Sequence, residues 1–272
     1  MFGFLNNLPQ VTKNILLLNI MFYVVTYILE TQGIDLGRTL GVYNALSPLF
    51  APFQIVTHFF MHGGFLHIFF NMWLFVMLGG YLERIWGEQR FFIFYVSCAM
   101  GALILYNAFG FYDLLLLKDS LSQSISISEL DSIMANSESL DKLRDIIYQS
   151  NYLGEFEYKM RELIPNLKTS NVDYVQLHNY FLLSITPMVG ASGAIFGVMA
   201  AFAILFPNTE FYLYFAIPVK AKYLVGFYFI YEVYRSYEGA NDGTAHLAHV
   251  GGAIVGAIFV LFWRKKDRNN FY

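Results

Sequence analysis

Three groups of polar residues interrupt apolar stretches of this sequence: His58, His62, His67 and Asn71; Gly190-Ala191-Ser192-Gly193; and Ala245-His246-Leu247-Ala248-His249. A serine hydroxyl becomes a nucleophile when an imidazole within hydrogen-bond reach takes its proton. Ser192 supplies the hydroxyl, and His249 or His246 the imidazole. His67 and Asn71 are four residues apart and so share one helix face. Both can donate hydrogen bonds to a developing oxyanion, assisted by the Ser192 backbone N–H. The chemistry these types suggest is attack on a carbonyl carbon. Taken singly, each is weak: a Ser among small residues usually packs, and a His at a membrane boundary is often only interfacial. A second chemistry, zinc-dependent hydrolysis through His58, His62 and His67, lacks both an HExxH motif and any acidic residue between the histidines. No metal and no cofactor are therefore expected.

These residues meet only if the elements bearing them run side by side. Gly193 and Gly197 form one small-xxx-small pair beside Ser192; Gly252 and Gly256 form another, with Gly252 one turn beyond His249. Such pairs let membrane helices approach closely. Uncharged stretches predict spans over Asn14–Leu29, Phe65–Leu82, Phe91–Tyr112, Asn179–Thr209 and Gly243–Trp263. A sixth, weaker candidate is Tyr223–Tyr237, which contains Glu232 and Arg235. Counting along helices from Pro187 and Gly243 puts Ser192 roughly 8 Å and His249 roughly 9 Å below one surface. The apolar run at the N-terminus is followed by no small-x-small cleavage site, and is read as a retained first span.

Composition agrees. Hydrophobic residues make up 57% of the chain and charged residues 14%, against roughly 45–50% and 25% in soluble domains. Nineteen per cent aromatic content excludes disorder, and the single Cys98 excludes an internal disulfide framework. A net charge of −3 gives no sign of nucleic-acid binding. With six spans and a cytoplasmic N-terminus, the inner side holds Lys13, Arg84, Arg90, Lys220, Lys222, Arg264, Lys265, Lys266 and Arg268, and the outer side only Arg38 and Arg235. That bias favours both termini in the cytoplasm. Residues 118–178 hold ten acids and six bases. They are read as an extracytoplasmic helical insert that dissects the chain into 1–117, 118–178 and 179–272. Within it, helices are expected over about Ser128–Ser150, with Ser137 capping the second piece, and over Glu155–Leu163.

The assembled motifs resemble the rhomboid family of intramembrane serine proteases. The resemblance rests on Thr57-His58-Phe59-Phe60-Met61-His62 with Leu66-His67-Ile68-Phe69-Phe70-Asn71, on Leu78-Gly79-Gly80-Tyr81-Leu82-Glu83, on Gly190-Ala191-Ser192-Gly193-Ala194-Ile195-Phe196-Gly197, and on Ala248-His249-Val250-Gly251-Gly252 with Gly256. It implies an all-α membrane protein, a six-transmembrane-helix rhomboid-like bundle with the helical lobe inserted between spans 3 and 4. It implies a Ser192–His249 dyad with no acidic third member, an oxyanion pair of His67 and Asn71, and Phe196 stacked on the histidine. His58 and His62 shape the first loop, and Glu83 is a structural polar residue at the inner end of span 2. His246 is the competing base; the glycine spacing favours His249. Phe53-Gln54 stands where the family often has Trp-Arg. The implied activity is hydrolysis of peptide bonds in or near transmembrane segments, with membrane proteins as substrates, lipid as surroundings and a bacterial inner membrane as location. The alternative is a non-catalytic binder or escort of membrane proteins.

Overall fold

The computed structural model describes residues 5–213, 217–238 and 244–266. The predicted span start at Gly243 and the predicted inner charge Arg268 lie outside the described residues. Ten longer helices are α1 (Gln10–Glu30), α2 (Phe65–Trp86), α3 (Glu88–Ser122), α4 (Ile127–Ala135), α5 (Ser137–Gln149), α6 (Leu153–Leu163), α7 (Tyr174–Ile185), α8 (Ser192–Leu205), α9 (Ala221–Glu238) and α10 (His246–Lys266). An antiparallel hairpin, β1 (Glu210–Leu213) and β2 (Ile217–Lys220), pairs Glu210 with Lys220 and Leu213 with Ile217. This hairpin is not among the elements expected from the sequence. The chain forms two compact units: one from the described parts of Met1–Leu40, Val56–Tyr106 and Val189–Tyr272, the other from Gly41–Ile55 and Asn107–Met188.

In the first unit, α1, α2, α3 and α10 are long and apolar enough to cross a membrane, and α8 is a shorter apolar helix. Their burial is inverted relative to a water-soluble domain. Leu17, Met21, Val24 and Ile28 of α1 and Phe65, Leu66, Phe69 and Trp73 of α2 face outward, while Thr12, Asn19, Asn71, Glu83, His246 and His249 are buried. Apolar side chains can face outward without cost where the surroundings are hydrocarbon, and polar ones must then find partners inside. This is an integral membrane protein.

Glu83 shows how such a partner is found. Its carboxylate accepts hydrogen bonds from the Val11 N–H (2.8 Å), the Thr12 N–H (2.7 Å) and the Thr12 hydroxyl (2.7 Å). A helix leaves its first N–H groups without intrahelical acceptors, and an anion there also meets the positive end of the helix dipole. Pro9 precedes α1 and offers no side-chain cap, so Glu83 on α2 does the capping. Midway along α2, the wide π turn Phe75–Gly79 re-aims the helix between Asn71 and Glu83.

The expected single span Asn179–Thr209 is broken. α7 ends at Ile185 and α8 begins only at Ser192. Pro187 lacks an N–H, and Gly190 adopts φ +120, which a residue with a side chain rarely takes. Ser192 is therefore the first residue of its helix rather than one buried a turn and a half along it. Likewise His249 lies in the first turn of α10, which starts at His246.

The second unit has its own core, including Leu114, Leu130, Leu143, Phe156, Met160, Leu177 and Phe181. α5 places Leu140, Leu143, Ile146 and Ile147 on one face, and Asn136 rather than Ser137 caps it, accepting from the Ser139 N–H at 3.0 Å. The segment Gly41–Ile55 belongs to this unit: Arg144 donates to the Tyr43 hydroxyl at 3.1 Å, and Val42 pairs with Met188. Gln54 is buried, its Oε1 accepting from the Ala51 N–H (3.0 Å) and its Nε2 donating to the Leu49 carbonyl (3.2 Å).

Candidate functional site

Glycines set the distance between α8 and α10. A methyl group at Gly252 would overlap the Gly193 carbonyl, and one at Gly256 would lie 2.5 Å from the Gly197 carbonyl. A third helix packs equally tightly: a methyl at Gly251 would lie 2.7 Å from the Gly101 carbonyl of α3. Backbone meets backbone, so side chains just beside the crossing are brought together. Ser192 precedes Gly193, and His249 is one turn before Gly252. The Ser192 Oγ lies 2.8 Å from the His249 Nε2. The Phe196 ring, one turn along α8, lies flat on the imidazole, with centroids 4.2 Å apart and planes within 8°.

His67 and Asn71 lie on α2 in the same unit. The Gly63 N–H donates to the His67 Nδ1 at 3.3 Å. With Nδ1 accepting, the neutral ring carries its proton on Nε2 and can donate there. The position a Gly190 Cβ would occupy is 3.1 Å from the His67 Nε2 and 3.5 Å from the Ser192 Oγ. Gly190 thus keeps open a space that borders both groups. The Asn71 Nδ2 is buried without a hydrogen-bond partner among the described residues. A buried donor without an acceptor costs about 1–3 kcal/mol, and such groups cluster where a ligand supplies what the protein omits. The Ser192 N–H, first in α8, has no intrahelical acceptor either.

His58 and His62 lie in the loop that leads into α2. The His58 carbonyl accepts from the Gly190 N–H at 2.9 Å, tying that loop to the segment before Ser192. His62 is buried with its ring 5.1 Å from that of His67. Burial, and then the neighbouring His67, lower its pKa to about 4, opposed by its contact with the Phe60 carbonyl.

The contact to Ser192 belongs to His249, and His246 meets Glu232. Its Nδ1 lies 2.6 Å from the Glu232 Oε2, and the same oxygen lies 3.0 Å from the His249 Nδ1. The resemblance implies no acidic partner; here a carboxylate of α9, 1% exposed, stands beside the histidine. One ligand atom from each of Glu232, His246 and His249 falls within a sphere of contacts under 4.8 Å, a spacing that a divalent cation could bridge. The metal ligands expected from sequence spacing are only the other three histidines, and there Glu232 counts against a span over Tyr223–Tyr237. Yet an acid inside an apolar segment is itself a signal of function, and that signal would have found it.

A family profile described as "Rhomboid domain" matches residues 50–117 and 169–266. The chain belongs to the rhomboid family. The match brackets both helices of the Ser192–His249 contact and leaves out most of the polar insert. Over 90 residues the chain is 39% identical to an uncharacterized mitochondrial rhomboid protein of Schizosaccharomyces pombe, covering 30% of this chain and 23% of that one. Over 75 residues it is 43% identical to the mitochondrial RHOMBOID-like protein 12 of Arabidopsis thaliana, covering 28% of this chain and 22% of that one. This rhomboid thus aligns with less than a quarter of the length of either relative. No solved structure matches it significantly.

Proposed function

We propose that this rhomboid is an intramembrane serine endopeptidase that hydrolyses peptide bonds in or near the transmembrane segments of other membrane proteins. The observation that carries the reading is the 2.8 Å contact between the Ser192 Oγ and the His249 Nε2, made inside a bundle whose outer face is apolar. In the first step His249 takes the hydroxyl proton while the Oγ–carbon bond forms and the carbonyl π electrons move onto oxygen. The oxyanion is received by the Asn71 Nδ2–H, the His67 Nε2–H and the Ser192 N–H. His249 then returns its proton to the leaving amine, and water repeats the sequence on the acyl-enzyme.

A peptide carbonyl inside a helix is shielded by its own hydrogen bonds. Substrates should therefore unwind locally, with helix-breaking residues and a small residue at the cut. The Lys and Arg distribution supports both termini on the cytoplasmic side and residues 118–178 as an extracytoplasmic lobe. The two relatives carry "mitochondrial" in their names. The proposed bacterial inner membrane is tested separately, by fractionation of the source cells.

The test of activity is reaction of the detergent-solubilised protein with a fluorophosphonate and with a transmembrane reporter peptide. Expected are a label mapped to Ser192 by mass spectrometry and cleavage lost in Ser192→Ala. A wild type that neither labels nor cleaves, or a Ser192→Ala protein that keeps its full cellular role, would favour the escort reading instead.

A further inference from the structure

We propose that Glu232 is a positioning residue for the Ser192–His249 pair, so that the reacting unit is a Ser–His–Glu chain, with His246 clamping the same carboxylate oxygen. The inference rests on the proteolytic reading above and adds to it a member that composition and motif did not supply.

The geometry is that of a relay whose parts come from three helices. Ser192 on α8 meets the Nε2 of His249 on α10 at 2.8 Å. The other ring nitrogen, Nδ1, has no directed hydrogen bond, and the Glu232 Oε2 of α9 lies 3.0 Å from it. The same oxygen is held by the His246 Nδ1 at 2.6 Å. Glu232 is more deeply buried than either histidine. A carboxylate in such surroundings is stable only with donors around it. If packing alone were served, His246 would suffice as its partner. The placement beside His249 has a chemical consequence: a negative charge at Nδ1 keeps the proton on that nitrogen and leaves Nε2 free to accept. When the Ser192 proton arrives at Nε2, the imidazolium forms next to an anion. The Nδ1 proton stays on the ring, and none moves to Glu232.

The other groups around His249 do not replace that charge. Phe196 covers one ring face. Tyr228 of α9 packs on Phe196 with centroids 4.9 Å apart, and Tyr231 of α9 meets His246 edge-on at 6.3 Å. His67 of α2 lies within electrostatic range of His249 and can only oppose its protonation. Among the described ionisable groups packed here, Glu232 is the one that favours it.

The experiment uses Glu232→Gln, near-isosteric and uncharged, in the full chain. Expected is a fall in kcat of about 10²–10⁴-fold with KM within threefold and thermal stability retained. In parallel, ¹⁵N NMR of histidine-labelled protein finds the neutral His249 proton on Nδ1 in the wild type and redistributed to Nε2 in the variant. A purely structural glutamate would leave that tautomer in place. Should Glu232→Gln fail to fold, Glu232→Asp carries the test: its carboxylate retreats by one methylene, and kcat falls at least tenfold at unchanged KM. Wild-type kcat in either variant, or an unchanged His249 tautomer in Glu232→Gln, overturns the proposal. If the wild type proves inert toward reporter and fluorophosphonate while the His249 tautomer still depends on Glu232, the protease reading fails and the Glu232–His249 coupling stands.

Discussion

Replacing Gly252 by alanine tests whether the glycine crossing holds the reacting groups together. The added methyl would overlap the Gly193 carbonyl, a backbone atom that cannot swing aside like a side chain. Alanine in a helix gains about 1 kcal/mol over glycine, while forcing a methyl into packed space costs about 1–3 kcal/mol. The net expectation is a loss of about 0–2 kcal/mol, or up to roughly 8 °C in Tm for a chain of this size. The effect on activity should be larger. α8 and α10 can relieve the overlap only by separating, and the Ser192–His249 distance of 2.8 Å then passes out of proton-transfer reach. A misplacement of about 1 Å costs on the order of 10²-fold. The control is Gly226→Ala on α9, where an added Cβ meets nothing within 4 Å and the same propensity gain comes free. The assay pairs thermal unfolding in detergent with cleavage of a transmembrane reporter and fluorophosphonate labelling. Equal stability and activity in the two alanine variants would refute the idea that this backbone contact sets the site.

Other predictions follow from the same structure. Asn71→Ala should lower kcat by about 10²–10³-fold with little change in KM and no loss of stability, since its Nδ2 is unpartnered at rest; a rise in KM alone would contradict an oxyanion role. Glu83→Ala strips three hydrogen bonds from the start of α1 and should cost about 1–3 kcal/mol, read as a lowered Tm, whereas a wild-type Tm would mean that water caps the helix as well. His62 is held neutral in the fold, with its pKa lowered from 6.5 to about 4. The unfolded chain therefore binds the proton first, and stability present above pH 6.5 is lost as pH falls toward 4, by up to about 3 kcal/mol. His62→Gln should remove that part of the acid limb of Tm against pH, and an unchanged limb would assign it to other groups. Zinc ions that bridge Glu232, His246 and His249 should inhibit reversibly, with activity restored by a chelator and inhibition weakened in His246→Ala; equal inhibition of that variant would place the ion elsewhere.

The helices were legible wherever the bilayer dictates length and composition. Gln10–Glu30 lies within four residues of the predicted span at each end; Ala221–Glu238 matches its predicted bounds as a helix but is not among the described helices long and apolar enough to cross a membrane. α3 was not, because its helix continues ten residues past Tyr112 into the polar segment, where hydropathy stops reporting. The break before Ser192 was written in Pro187 and Gly190, but an uncharged run masks a turn when only charges are counted. The glycine pairs could be read as a close crossing because a missing Cβ has one geometric meaning. Long-range polar pairings could not. Nothing local in the sequence ties Glu83 to Thr12 or Glu232 to His249; each joins residues that only the packed bundle makes neighbours. The same limit hid the alliance of Gly41–Ile55 with the later polar helices, since Arg144 and Tyr43 are 101 positions apart.

The capping of α1 by Glu83 bears on how the protein is made. Thr12 leaves the ribosome 71 residues before the carboxylate that will receive its amide and hydroxyl. Until α2 is inserted, the opening turn of α1 has no protein acceptor and must stay at the watery margin of the bilayer, where solvent or headgroups can serve. Docking of α2 releases it from that margin. α1 is in this sense completed by the helix that follows it, and a fragment ending before Glu83 should hold α1 at a shallower depth than the whole chain.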